Sequence, residues 1–169
     1  MLIPETGTGS SQANSYASVA QADDYFDLRG SQTWISYTTA EKEAALINAT
    51  DFIEATYSES FKGYKSSATQ ALSWPRTDVV IDDYDFPSSA IPTRLIDATV
   101  QMALRSAGGE VLIQDQAQRV VKEKVDVIET TYAEFSDPQQ RYPFVSRLLT
   151  PLLKSGGDGN FQSVRLVRT

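Results

Sequence analysis

Cysteine and histidine are both absent from the 169 residues. Without them there is no disulfide framework, no thiolate or imidazole metal site, no Ser-His-Asp or Cys-His nucleophile, and no imidazole proton shuttle near neutral pH. Carboxylates, Lys, Tyr or a carboxylate-bound Mg²⁺ would have to carry any chemistry, so the expectation is a protein that is not an enzyme and needs no cofactor. Long apolar runs are missing as well: nothing approaches the roughly 18 residues of a membrane span. The opening MLIPETGTGSS has neither the basic start nor the apolar stretch of a secretory signal. The expected setting is the cytosol or a soluble assembly, with no membrane contact. Positive charge is scarce: 15 Lys and Arg face 22 Asp and Glu, for a net charge of −7. DNA affinity rests on cations that displace condensed counterions, so this balance disfavours non-specific phosphate binding.

What is present is ordinary for a globular chain, with 41% hydrophobic and 22% charged residues. The length fits one compact domain with appendages. The charge is uneven: residues 1–100 hold 14 acids and 6 bases, and residues 101–169 hold 8 acids and 9 bases.

Residues 1–17 are rich in Gly, Ser, Thr and Asn without helical period, and read as an extended leader that needs a surface to lie on. Ser18 with Gln21 forms a capping-box pattern, and Val19, Ala22, Tyr25 and Phe26 share a face of the helix that follows, which Gly30 ends. Thr38 and Glu41 repeat that pattern before a longer helix with Ala45, Leu46, Ala49, Phe52, Ile53 and Tyr57 in one stripe. Residues 58–90 lose the period and read as a long ordered loop pinned by Phe61, Leu72 and Trp74. Pro92 opens a third helix to about Ala107, its charged and amide residues confined to Arg94, Asp97, Gln101 and Arg105, as suits the centre of a bundle. Residues 119–135 turn β-branched and read as one long strand or a small hairpin. A fourth helix runs from Pro143 to about Leu153, with Pro151 kinking it or ending it early. The fold class is therefore mainly α: a small bundle of about four helices over 18–154, a short β element near 119–135, and extended arms. Residues 155–169 make a Gly-rich linker and a short strand-capable tail. That tail, with Phe161, Val164, Leu166 and Val167, reads either as a frayed terminus or as a segment that adds to another sheet's edge.

Candidate chemistry is thin. Gly7-Thr8-Gly9 follows no strand and lacks the Lys-Ser/Thr of a phosphate loop. Asp82, Asp83 and Asp85 lack the ligand spacing of a calcium loop, and a solvated loop is the simpler reading. Glu123, Asp126 and Glu129, interleaved with Lys122 and Lys124, suit cross-strand charge pairing. Trp74-Pro75-Arg76 could stack a base, but Trp74 more simply anchors the loop in the core, which leaves Arg76 near the surface.

Several runs then fall into a recognisable order: ANSYASVAQADDYF (13–26), AEKEAALINATDFIE (40–54), FKGYKSSATQALSWPRTDV (61–79), IPTRLIDATVQMAL (91–104), EKVDVIETTY (123–132) and LLTPLL (148–153). Together they resemble the small head-tail adaptor, or connector, proteins of tailed bacteriophages, many of which carry a generic label as DnaT-like single-stranded DNA-binding proteins. The resemblance implies a helical bundle that forms a ring of about twelve copies beneath the portal, joining the capsid to the next neck, stopper or tail protein and letting double-stranded DNA pass without gripping it. It implies residence in the virion, with assembly in the host cytoplasm. By position, the portal-docking arm would be the tail, carrying Phe161, Val164, Arg165, Leu166, Val167 and Arg168. Contacts with neighbouring subunits are expected from the leader and the 58–90 loop, through Asn14, Tyr16, Phe61, Trp74 and Arg76, and from Lys122 and Lys124. The label itself points to the alternative, a replication accessory that binds single strands.

Overall fold

Capping chemistry and apolar spacing place the helices. A computed structural model of the chain describes residues 1–113 and 142–154 in full and the backbone of 122–125 and 128–131. Helix α1 (Val19–Asp27) opens on Ser18, whose hydroxyl accepts the Gln21 N–H while the Gln21 side chain accepts the Ser18 N–H. A single turn, α2 (Gln32–Ile35), follows and carries the fully buried Trp34. The long helix α3 (Thr39–Tyr57) begins with the same reciprocal cap, between Thr38 and Glu41. Helix α4 (Thr93–Ala107) starts after Pro92, a residue whose fixed φ suits a helix start, and stops at Gly108. Helix α5 (Pro143–Leu149) tightens into a 3₁₀ turn at Thr150–Leu152, where Pro151 cannot supply an N–H, so the helix ends early as its sequence indicates.

The most extensive packing joins α3 to α4, and α5 lies against α4. Leu46, Ala49 and Ile53 of α3, Leu95, Ala98 and Met102 of α4, and Leu149 of α5 are fully buried. Burying each large aliphatic side chain among them contributes about 1.5–3 kcal/mol. The short turn α2, which no period announces, is held by Trp34: its indole N–H donates to Asp23 at 2.7 Å and its ring packs 5.0 Å from Phe26. Asp23 also accepts from Lys42 at 2.8 Å, tying α1 and α2 to α3.

The segment 58–90 is more regular than its sequence suggests. It contains strand β1 (Tyr64–Lys65) paired antiparallel with β2 (Arg76–Thr77), and β3 (Val80–Ile81) paired with β4 (Tyr84–Asp85). Two-residue strands leave too short a pattern for alternation to register. Beyond α4, β5 (Lys122–Val125) pairs antiparallel with β6 (Ile128–Thr131), which decides for a hairpin over one long strand and sets Lys124 opposite Glu129. The protein is mainly α with small antiparallel hairpins. No helix among the described residues is long and apolar enough to cross a membrane.

The leader finds its surface within its own chain. Pro4 bridges Ser15, Ile3 donates to the Asn14 side chain at 2.7 Å, and Ala71 donates to the Ser10 carbonyl at 3.0 Å. Gly7 sits at φ +100°, and a Cβ there would stand 2.0 Å from the Ser89 carbonyl oxygen, so only glycine allows the leader to close on the loop.

Candidate functional site

The motif Gln70 to Arg76 forms a buried polar centre between the leader, α3 and the β1–β2 hairpin. Glu54, in the last turn of α3, directs its carboxylate at the loop: it accepts from the Ser73 N–H at 3.2 Å, from the Ser73 hydroxyl at 2.7 Å, and from the Tyr16 hydroxyl. Tyr16 in turn accepts the Trp74 N–H at 3.2 Å. Burial, reinforced by the adjacent Glu54 charge, pushes the Tyr16 phenol well above its ordinary value, so it stays protonated and donates. Gln70 bridges the turn, donating to the carbonyls of Leu72 at 2.8 Å and Pro75 at 3.0 Å. The Trp74–Pro75 peptide is cis.

Arg76 corrects the expectation of a surface position: it is buried. Its guanidinium donates to the carbonyls of Lys62 at 2.6 Å, Gly63 at 2.7 Å, Ser73 at 3.1 Å and Phe61 at 3.5 Å. Burial lowers its pKa, opposed in part by the nearby Glu54 carboxylate. The planar fork of donors explains why an arginine closes this loop: it satisfies carbonyls that two-residue strands leave unpaired. Trp74 is fully enclosed, edge-on to Phe61 at 5.9 Å and Phe86 at 5.7 Å. The anchoring reading of Trp74 holds and base stacking on its ring has no access.

A second polar device lies in the leader. The Glu5 carboxylate, buried at 4% exposure, accepts from the backbone N–H groups of Gly7, Thr8, Gly9 and Ser10 at 2.8–3.0 Å. The glycine-rich turn does make an anion nest, and the anion it holds is the chain's own side chain. Among the described residues no three carboxylates converge where a metal ion could sit.

The solvent face of the same segment is acidic. Tyr64 and Tyr84 are 71% and 79% exposed; Tyr84 stands between Asp83 and Asp85 in the chain, and Tyr64 is followed by the exposed Lys65. A polar cavity of about 400 Å³ is lined by Lys62, Asp78, Asp82, Asp83 and Lys154. Both of its ammonium groups are occupied, Lys62 with the Val80 carbonyl and Lys154 with the Glu59 carbonyl, each at 3.1 Å.

A family model described as "Putative DnaT-like ssDNA binding protein" matches residues 1–169. The chain belongs to this DnaT-like family. No curated protein and no solved structure matches it. Within this DnaT-like protein, the residues marked from sequence divide into three groups. Tyr16, Phe61, Trp74 and Arg76 come together in one buried centre, so a neighbouring subunit would meet the residues around them and not their side chains. Asn14 is half-buried and spends its amide on Ile3 and Met1. Lys122 and Lys124 occupy β5, while Phe161, Val164, Arg165, Leu166, Val167 and Arg168 lie outside the described residues. The sequence alone does not mark Glu5, Glu54 or Ser73, whereas Gln70, with Ala71 and Leu72, is among the residues on which the resemblance rests. A signal existed for Glu54: it lies four residues after Thr50, a polar residue inside the apolar stripe, on the same helix face.

Proposed function

We propose that this DnaT-like protein is a structural, non-enzymatic adaptor subunit, which assembles as a ring of about twelve copies beneath a phage portal and joins it to the next neck or tail protein. The observation that supports this reading best is the state of its cations. Lys42, Lys62, Arg76, Arg105 and Lys154 are engaged within the protomer, and of the two exposed tyrosines Tyr84 stands between Asp83 and Asp85 while Tyr64 is followed by the exposed Lys65. A single-strand groove needs the reverse, aromatic platforms beside free cations. An acidic wall repels duplex phosphate and lets it slide, as a channel component should. The ring requires two different surfaces of one protomer to match and close by rotation.

The test is native mass spectrometry of the protein alone and mixed with portal protein from the same genome. A closed assembly, alone or on the portal, is the expected result; a monomer indifferent to portal overturns the reading. Deleting residues 156–169 is expected to leave the bundle folded and abolish portal attachment. The second reading, single-strand binding, draws on the family's description and on Tyr64 and Tyr84. It predicts tight, salt-sensitive oligonucleotide affinity, and a titration at low salt that finds none removes it.

A further inference from the structure

Glu5 is buried, and among the described residues no Lys or Arg pairs with it. Its charge rests on the turn that follows. One carboxylate oxygen accepts from the N–H groups of Gly7, Thr8 and Gly9 at 2.8, 2.8 and 3.0 Å, with the Thr8 hydroxyl at 3.4 Å, and the other accepts from the Ser10 N–H at 2.8 Å. Gly7 and Gly9, at φ of 100° and 69°, turn successive N–H groups toward one point, which is the geometry that holds a small oxyanion. Converging donors repel one another and are costly to bury unpaired, so this turn needs an anion in order to close.

The same turn joins the leader to the polar centre. The Ser10 carbonyl accepts the Ala71 N–H at 3.0 Å, and a Cβ on Gly9 would stand 3.7 Å from the Gln70 side chain, the group that bridges Leu72 and Pro75. On its other side Glu5 pins the returning arm of the leader: its N–H donates to the Ser15 carbonyl at 2.8 Å. The next residue is Tyr16, whose hydroxyl donates to Glu54 and accepts from the Trp74 N–H. One carboxylate therefore stands between the two leader contacts on which the centre depends, the turn over Gln70 and the seat of Tyr16.

We infer that residues 7–10 form a binding site for a small carboxylate, that Glu5 is its tethered ligand, and that filling the site closes the leader over Gln70 and seats Tyr16. The leader is then a strap fastened by one anion. Its tether gives Glu5 an effective concentration on the order of millimolar or higher, so dilute anions do not displace it. When the side chain is shortened, the same four N–H groups accept a free carboxylate. The inference does not depend on the ring or the portal.

Glu5→Ala in the full-length chain tests this, because the fragment it removes is the equivalent of acetate. Amide hydrogen exchange should rise about tenfold or more at residues 7–10, at Ala71 and at Trp74. Acetate at about 100 mM should bring the rates back to within about threefold of the native chain, and chloride at equal ionic strength should not. Unchanged exchange in the variant means that the turn holds without an anion and overturns the proposal. A rise that acetate relieves no better than chloride overturns the binding site. A rise at 7–10 and Ala71 with native exchange at Trp74 overturns the seating of Tyr16. Should Glu5→Ala fail to fold in chloride, the yield refolded from urea into acetate against chloride, read by far-UV circular dichroism, replaces exchange; equal yields overturn the binding site. Glu5→Gln is the second variant. It keeps the shape but replaces one acceptor oxygen by a donor that faces an N–H, so exchange should rise, and acetate should not relieve it because the amide fills the space. Relief of Glu5→Gln by acetate would place the anion elsewhere and count against the proposal.

Discussion

The α3–α4 pair and the 61–90 segment are both buried at their centres, yet they are held by different forces. Between α3 and α4 the contact is made by aliphatic and small side chains repeating at helical spacing, with Leu46, Ile53, Leu95 and Met102 sealed from solvent. In 61–90 the strands are two residues long, and cohesion comes from individual side chains that bond to backbone: Arg76 to four carbonyls, Gln70 to two, Glu54 to the Ser73 N–H. Apolar packing is non-directional and tolerates exchange of similar volumes, whereas a buried polar bond depends on one residue type in one place. Gln70 and Arg76, within the run 61–79 quoted for the resemblance, lie in the second region, where residue identity rather than pattern holds the chain.

Replacing a residue in the first region gives the largest effect. Leu95→Ala removes a fully buried side chain from the first turn of α4 and should cost about 2–5 kcal/mol, depending on how far the site collapses. Urea unfolding followed by tryptophan fluorescence and by far-UV circular dichroism should shift together, since both regions share one buried core. Coincident midpoints are the expected outcome; separated midpoints would mean that the two regions unfold as independent units.

Arg76→Met sharpens the contrast. It keeps much of the volume and removes every donor, leaving buried carbonyls of residues 61–63 and 73 without their partner. The expected cost is about 3 kcal/mol, and it should be local: faster amide exchange in 61–77 with little change inside α3. Exchange that accelerates equally in α3 would show that the polar centre supports the helices and that the division into two regions is false.

The same division explains what could be read from sequence. Both capping boxes, the apolar stripe of α3, the polar line of α4 and the stop at Pro151 were legible because each repeats or spaces residues at a fixed interval. The order of quoted runs placed the chain among proteins that carry the DnaT-like label, which the family match over residues 1–169 supports. Arg76 was placed near the surface because charge normally excludes a residue from the core, and nothing local reveals the four carbonyls that admit it. Glu5 was passed over for a similar reason: a carboxylate two residues before a glycine-rich turn looks solvated until the chain folds around it. The hairpins of 61–90 were missed since two residues cannot show alternation.

A smaller effect of opposite sign comes from the hairpin tip. Asp83 holds φ of 66° without being glycine, a conformation that costs an ordinary residue about 1–2 kcal/mol. Asp83→Gly relieves this, partly offset by the freedom glycine gains when unfolded, for a net stabilisation of about 0.5–1 kcal/mol. A thermal melt measures it directly. A loss of stability would mean that the Asp83 carboxylate contributes more than its backbone costs.

The smallest expected effect lies on the helices and depends on pH. Asp97 is half-buried on the polar line of α4, and desolvation raises its pKa, with Arg29 opposing in part. A carboxyl raised in the fold holds its proton more tightly there than in the unfolded chain. Its favourable contribution is therefore complete below the ordinary carboxylate range and is lost as pH rises through the folded value. Asp97→Asn, neutral throughout, should then melt about 1–2 °C higher near pH 7, an effect kept small by solvent screening, and should show no advantage near pH 3. The reverse result, a variant less stable at pH 7, would mean that the Asp97 carboxylate is held by a directed bond. The polar face of α4 would then belong with Glu54 and Arg76, and the boundary between the two kinds of cohesion would run through the helix itself.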